Sequence, residues 1–85
     1  MPEEEIGVIK HYFTNIGVAV LELTKGDLKV GDTIHVKGAT SDFTQKIDSM
    51  QIEKTKIEEA KKGQAIGLKV AEHVRQNDVV YKVVG

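Results

Sequence analysis

Two closely spaced glycines that lead into an alternating strand constrain this chain more than any other feature. The run GDLKVGD covers residues 26–32, and the run TIHVK follows at 33–37. Glycine tolerates the left-handed backbone of tight turns, and Asp32 can hydrogen-bond its own backbone to stabilise the second turn. Ile34 and Val36 alternate with polar residues, as in a strand with one inward face. The feature predicts a β-barrel or β-sandwich that turns here.

Further strand candidates recur at short intervals. They are short apolar runs bounded by turn residues, at 5–13, 17–23, 33–37, 45–53, 64–71 and 79–84. Regular short strands favour a small all-β fold. Because a closed barrel leaves no exposed strand edges, we expect a six-stranded closed β-barrel. Residues 1–85 then form a single domain, in which residues 1–4 are expected to be flexible.

The apolar pattern allows two local predictions within these strands. Residues 17–23 are almost continuously apolar, which fits a strand buried on both faces. In the run 45–53, Ile47 and Met50 break the period of two that a strand requires. We therefore predict a β-bulge near Asp48-Ser49, which would return Met50 to the core face.

The segment 54–62 is ambiguous. It could form a helical turn that ends at Gly63, since glycine favours helix C-termini. It is too short for an independent helix. We expect an extended loop anchored by Ile57 and Ala60.

Composition excludes several classes of protein. Of the 85 residues, 40% are hydrophobic and 29% charged, which is ordinary for a soluble globular domain. Cysteine is absent, so disulfides, thiolate nucleophiles and cysteine metal sites are excluded. The acidic start is unlike a secretory signal, and no apolar run approaches the roughly 18–20 residues of a membrane span. We expect a cytoplasmic protein that does not contact a membrane.

No residue pattern indicates catalysis. His11, His35 and His73 are widely spaced and lack metal-ligand spacing. The adjacent serine–aspartate pairs at 41–42 and 48–49 lack a nucleophile elbow and are typical of turns or bulges. A P-loop is also absent, so no nucleoside triphosphate site is visible. We predict a non-enzymatic protein without a metal or cofactor.

Four lysines cluster before Gly63, and two glutamates offset part of their charge, leaving +2 over residues 54–62. The cluster is either a solvated, self-neutralising loop or a rim that contacts phosphates, with Arg75 and Lys69 nearby. Since the net charge is −1, any RNA binding would depend on this local patch and be salt-sensitive. The lysines are Lys54, Lys56, Lys61 and Lys62.

The adjacent aromatic residues Tyr12 and Phe13 are a second candidate site. Neighbouring residues of a strand point to opposite faces, so one ring is expected in the core. The other could be an exposed platform that stacks on a base or contacts an apolar peptide.

Three blocks in consistent order resemble domain 2 of the translational GTPases of the elongation factor Tu group. They are GDLKVGD at 26–32, IDSMQI at 47–52 and IEEAKKGQAIGL at 57–68, and the likeness spans residues 6–83. In the last turn, Asn77 stands where the family has glycine, a tolerable change because asparagine also enters the left-handed region. The resemblance implies a β-barrel of the translation-factor domain 2 type.

The resemblance also implies a function. It suggests a non-enzymatic, translation elongation factor-like module that docks on RNA or a ribonucleoprotein. The run YFTNIG at 12–17 departs from the family's glycine-rich turn, so the pocket for the aminoacylated end of tRNA is not carried over. The chain is similar, too, to the C-terminal lobe of collagenase-like peptidases. That likeness implies the alternative, a protein- or peptide-interaction module related to this accessory lobe.

Overall fold

The computed structural model describes residues 3–39 and 42–83, and these residues form short antiparallel strands joined by turns. Within these ranges no helix is long and apolar enough to cross a membrane. Because the described residues form strands and turns and no helix, the prediction of a small all-β domain is confirmed. The ten strands are β1 (Glu3–Phe13), β2 (Val18–Leu23), β3 (Leu28–Lys29), β4 (Thr33–Lys37), β5 (Asp42–Lys46), β6 (Met50–Ile52), β7 (Thr55–Ile57), β8 (Glu59–Ala60), β9 (Ala65–Lys69) and β10 (Val79–Val83).

Eight strands form one sheet in the order β5-β4-β10-β1-β2-β9-β6-β7, and β3 pairs with β8 in a separate two-stranded ribbon. The inward side chains of the large sheet meet those of the ribbon in one aliphatic core, so the sheet must curl around it. The most deeply buried large side chains are those of Ile6, Ile9, Leu21, Leu23, Leu28, Ile34, Ile47, Met50, Ile66, Val36, Val74 and Val80.

The sheet is not closed by a β-ladder, so the prediction of a closed six-stranded barrel is not confirmed. In the described residues, β5 and β7 are the terminal strands, and each pairs on one side only. A side chain instead links β5 to the end of β9: Gln45 Nε2 donates to the Lys69 carbonyl at 2.9 Å, and Gln45 Oε1 accepts from the Ala71 amide at 2.7 Å. The amide of Gln45 thus replaces main-chain pairing beside β5.

The predicted strand 45–53 is interrupted, and the expected bulge at Asp48-Ser49 takes the form of a break between β5 and β6. At the break, the Ile47 amide donates to the Asp32 carbonyl at 2.8 Å, and the Ile47 carbonyl accepts from the Gly31 amide at 2.9 Å. The interruption lets Ile47 and Met50 both lie in the core, with 1% and 0% exposure. Both apolar residues face the core, as the predicted bulge required, but the strand ends between them and no bulge forms.

The prediction that residues 17–23 are buried on both faces is wrong. Strand β2 alternates, with Ala19, Leu21 and Leu23 buried and the intervening residues half-buried. A curled sheet with a single core covers only one face, and Val18 and Val20 lie on the other. The prediction for residues 33–37 is confirmed as β4, whose two inward residues are fully buried.

The ambiguous segment 54–62 is extended, as expected, and contains the short strands β7 and β8. Ala60 is fully buried, and Ile57 packs against the core. At the chain start, Glu3 and Glu4, which were expected to be flexible, pair with Val83 and Lys82 of β10. Residues 1 and 2 lie outside the described ranges, as does Ser41.

The second of the two predicted glycine turns forms at Gly31, and the Asp32 side chain bonds the Lys29 amide instead of its own backbone. Gly31 has a φ of 100°, in the left-handed region that favours glycine. Asp32 Oδ2 accepts a hydrogen bond from the Lys29 amide at 3.1 Å, and the Asp32 amide donates to the Lys29 carbonyl at 3.1 Å. The aspartate therefore fastens the turn that leads from the ribbon into β4.

A histidine clip joins three strands on the outer face. His35 of β4 contacts Glu3 of β1 through Nδ1, 2.9 Å from Oε2, and Asp42 of β5 through Nε2. The hydrogen bonds that His35 donates to Asp42 and to Glu3, the first having the larger effect, raise the pKa of His35 above its ordinary value of 6.5. The same contact with His35 lowers the pKa of Asp42. The protonated imidazole is therefore favoured when the strands are assembled.

The turn between β6 and β7 is expected to be strained. Glu53 and Lys54 have positive φ values of 50° and 67°, which suit a type I′ turn built from Asn-Gly. We expect the double substitution Glu53→Asn/Lys54→Gly to raise the free energy of unfolding by about 1 kcal/mol in urea titrations. Lys56→Gly in the adjacent strand is the control and should lower it, because glycine weakens a strand interior. A double variant no more stable than the parent would contradict the assignment.

The Gln45 bridge gives a second stability prediction. Gln45→Ala should lower the free energy of unfolding by about 1 kcal/mol, since two hydrogen bonds are exchanged for water. It should also speed hydrogen exchange at the Ala71 amide. Gln51→Ala, at an exposed position of β6, serves as the control and should change neither quantity. Unaltered exchange at Ala71 in the Gln45 variant would disprove the bridge in solution.

The His35 clip predicts how stability depends on pH. Because folding raises the pKa of His35, its contribution is complete below the ordinary pKa of 6.5 and is lost as pH rises through the folded-state pKa. Folding lowers the pKa of Asp42, so that contribution is lost as pH falls below the ordinary value of 3.8. Thermal unfolding between about pH 5 and about pH 9 should show a loss of stability with rising pH that is smaller in His35→Gln.

His11→Gln is a matched histidine control for this experiment, because no carboxylate contact to His11 occurs in the part of the chain that the structure describes. It should keep the parent's pH dependence. Equal pH profiles for the parent and His35→Gln would show that the clip does not form in solution.

Candidate functional site

Two of the four predicted lysines, Lys61 and Lys62, lie at one end of the β2–β9 pair. The Lys62 amide donates to Asp27 Oδ1 at 2.9 Å, and the Gly63 amide donates to the Leu23 carbonyl. Lys61 Nζ lies 3.1 Å from Glu59, and this contact raises the pKa of Lys61. The positive charge of Lys61 is therefore partly neutralised by Glu59 of the same segment.

Lys69 and Arg75 do not join these lysines. Lys69 pairs with Val18 at the opposite end of the ladder from Glu22 and Ala65. At about 3.3 Å per residue, the four steps from Val18 to Glu22 separate the two ends by roughly 13 Å. Lys54 lies in the β6–β7 turn, and Lys56 lies on β7 opposite Gln51 of β6. Both lysines are therefore at the outer edge of the sheet. The structure thus spreads the predicted cations over several places and does not unite them in one rim.

Arg75 lies instead beside the aromatic pair. Tyr12 is half-buried and packs against the core, whereas Phe13 is 45% exposed, so one ring contacts the core as expected but is not enclosed by it. Tyr12 and Arg75 line one cleft. The segments 11–16 and 73–77 together form what we call the hairpin-tip surface.

Main-chain hydrogen bonds hold these two segments together. The Ile9 amide donates to the Asp78 carbonyl at 2.8 Å, and the Ile9 carbonyl accepts from the Asn77 amide at 2.7 Å. The pairing of β1 with β2 shifts register between Ile9 and His11, where these bonds are made. Asn77 has a φ of 78°, as its place in the last turn predicts. The irregularity in β1 thus positions the 73–77 segment against the hairpin.

Aromatic contacts build the exposed part of the hairpin-tip surface. The rings of Tyr12 and His73 stack with centroids 4.7 Å apart and planes 26° apart. His11 and Phe13 make an edge-on contact at 4.4 Å. Ile16, in the turn that follows, is 61% exposed. The surface therefore combines flat rings with an exposed aliphatic side chain.

Two shallow, largely open clefts of about 570 and about 370 Å³ lie on this surface. Both include His11, Tyr12 and Thr14. The larger is further lined by His73, Val74, Arg75, Gln76 and Asn77, and the smaller by Phe13, Asn15 and Ile16. Their shared wall makes them two parts of one surface.

Sequence reasoning missed part of this surface. The wide spacing of the histidines indicates no metal site, and nothing in it shows that His73 stacks on Tyr12. The exposure of Ile16 could have been predicted from the sequence. It lies between Asn15 and Gly17 in a turn, where a large aliphatic side chain cannot reach the core. Among the described residues, no group of three or more histidine or acidic side chains is arranged to hold a metal ion.

Comparison with known proteins relates the chain to peptidases. No family model matches. A collagenase from Porphyromonas gingivalis is 39% identical over 84% of this chain and 20% of its own length. An uncharacterized protease from Methanocaldococcus jannaschii is 41% identical over 91% of this chain and 19% of its own length. The chain thus spans about a fifth of the length of these curated relatives.

Solved structures agree in fold. The C-terminal domain of a protein described as a putative U32 peptidase from Geobacillus thermoleovorans superposes with a TM-score of 0.87 at 21% identity, over 95% of this chain and 93% of that one. Its selenomethionine variant gives a TM-score of 0.85. The resemblance to domain 2 of the elongation factor Tu group is not confirmed. The chain is similar to segments of peptidases and shares the fold of a peptidase C-terminal domain.

Proposed function

We propose that this chain is a non-enzymatic module that binds a polypeptide through the hairpin-tip surface, in the manner of an accessory lobe of a collagenase-like peptidase. The observation that carries the proposal is the pairing of exposed apolar side chains with clefts at one end of the fold. Phe13 and Ile16 are exposed and line the smaller cleft, and Tyr12 lines both this cleft and the larger one, which contains Arg75.

Exposed apolar groups favour a polypeptide as the partner. In the described part of the chain, the large hydrophobic residues that remain exposed are Phe13, Ile16 and Val30, and two of them belong to the hairpin tip. Clustered exposed apolar groups mark interaction surfaces, whereas scattered ones need no explanation. Val30 lies apart, in the turn between β3 and β4.

The comparisons support the same proposal. The curated relatives are named as a collagenase and a protease, and only about a fifth of each corresponds to this chain. A segment that is a small part of such proteins suits an accessory role, such as holding a polypeptide near a catalytic part. The lining of both clefts contains Thr14 and His11 but no carboxylate to orient an imidazole as a base, which fits binding better than hydrolysis.

RNA docking through the lysine cluster remains a prediction. The cluster is spread over several places, which weakens the case for a single phosphate-binding rim. An RNA complex should also weaken steeply with salt, because binding releases counterions. A polypeptide held by apolar contacts should depend little on salt.

Binding to immobilised gelatin, an unfolded polypeptide, tests the proposal by biolayer interferometry. We expect measurable binding that changes little between low and moderate salt. Ile16→Ser and Phe13→Ser should each weaken it about tenfold, since each removes an apolar contact. Val30→Ser is the matched control, because it removes an exposed aliphatic side chain elsewhere, and it should bind like the parent.

Three results would reject the proposal. They are an absence of binding to gelatin, binding that the tip substitutions leave unchanged, and equal losses for Val30→Ser and the tip variants. Binding to an unrelated RNA that fades with salt and requires the lysines would favour the RNA-docking prediction instead.

A further inference from the structure

We propose that the larger cleft of the hairpin-tip surface binds a carboxylate of the bound polypeptide, with Arg75 as its cationic partner. This inference rests on the proposed function and adds the chemical class of ligand. The neighbouring Phe13 and Ile16 would receive an apolar side chain of the same ligand, because they line the adjoining cleft.

The lining of the larger cleft has the polarity that a carboxylate requires. It combines the guanidinium of Arg75 with a hydroxyl, a phenol, two side-chain amides and two imidazoles, and it includes no acidic side chain. Amides, hydroxyls and imidazoles can all donate hydrogen bonds to an anion. Arginine recognises carboxylates well because its planar fork can donate two parallel hydrogen bonds. The polar lining residues are His11, Tyr12, Thr14, His73, Arg75, Gln76 and Asn77.

The nearest candidate for a competing internal carboxylate is engaged elsewhere. Asp78 is only 5% exposed, and its Oδ2 accepts a hydrogen bond from the Arg75 main-chain amide at 3.0 Å. Its Oδ1 lies against Gly38, where a Cβ would collide with it. Asp78 therefore fastens the turn from beneath and is absent from the cleft lining. Glu72, which precedes His73, is exposed and is absent from the lining as well.

The site is held in place before any ligand arrives. The Asp78 amide donates to the Arg75 carbonyl at 3.1 Å, so the main-chain amide and carbonyl of Arg75 are both bonded to Asp78. The two main-chain hydrogen bonds that Ile9 makes with Asn77 and Asp78 join that turn to β1. Tyr12 is packed against the core on one side and stacked on His73 on the other. Because the backbone around Arg75 is already ordered, little of it has to be ordered on binding.

A carboxylate can come from a chain terminus or from an acidic side chain, and three synthetic peptides separate these sources. The first is an N-acetylated Gly-Pro-Phe tripeptide with a free C-terminal carboxylate, and the second is its C-terminal amide. The third is amidated and carries glutamate in place of proline. Each is titrated into the full chain labelled with ¹⁵N, and the amide signals of residues 11–16 and 73–77 are followed.

We expect at least one carboxylate-bearing peptide to bind about tenfold more tightly than the neutral amide, as a charge-assisted pair allows. Preference for the first peptide identifies the terminus as the source, and preference for the third identifies the side chain. Arg75→Gln should abolish the preference, and Arg75→Lys should restore part of it. Lys56→Gln removes an exposed cation on β7, away from this surface, and should retain the full preference.

Equal affinity for the acid and the amide peptides, or a preference that survives Arg75→Gln, would overturn the inference. If the neutral amide binds equally well and Ile16→Ser weakens that binding, the proposed function stands without the carboxylate site. If none of the peptides shifts these signals, the carboxylate site is rejected, and the gelatin experiment decides the proposed function separately.

Discussion

The need to enclose one aliphatic core with a single sheet governs the rest of this structure. The eight-stranded sheet supplies inward residues from both of its ends to the same cluster, so its ends have to approach each other. The chain meets this constraint by ending β5 at residue 46 and starting β6 at residue 50. The ribbon of β3 and β8 contributes Leu28 and Ala60 to the core beside this break.

The same constraint determines where the candidate site can form. Strand β1 pairs with β10 as far as Val8. Just beyond that point, the register of its pairing with β2 shifts between Ile9 and His11. The main-chain groups of Ile9 then bind the turn at Asn77 and Asp78. The buried carboxylate of Asp78 secures that turn from below. The hairpin-tip surface is thus an outcome of how the core is closed, and its loops are held by main-chain bonds.

Sequence patterns predicted individual elements well where the evidence was local. Strand β4 was predicted with its observed bounds, because alternation and a glycine turn both lie within a few residues. The prediction that Ile47 and Met50 share the core was also correct in its physical reason. The break between β5 and β6 was not predictable, since it depends on main-chain hydrogen bonds that Ile47 donates to Asp32 and accepts from Gly31, which lie far away in the chain.

The amino-acid sequence by itself determined the all-β class, the turns at Gly31 and Asn77, and the division of Tyr12 and Phe13 between opposite faces. These follow from residue preferences and from the period of two, which act over short distances. Only the tertiary structure decided that Arg75 lies with Tyr12 while Lys61 occupies the other end of the β2–β9 pair. Strand register sets such distances, and charges that are close in sequence can be separated by the length of a strand.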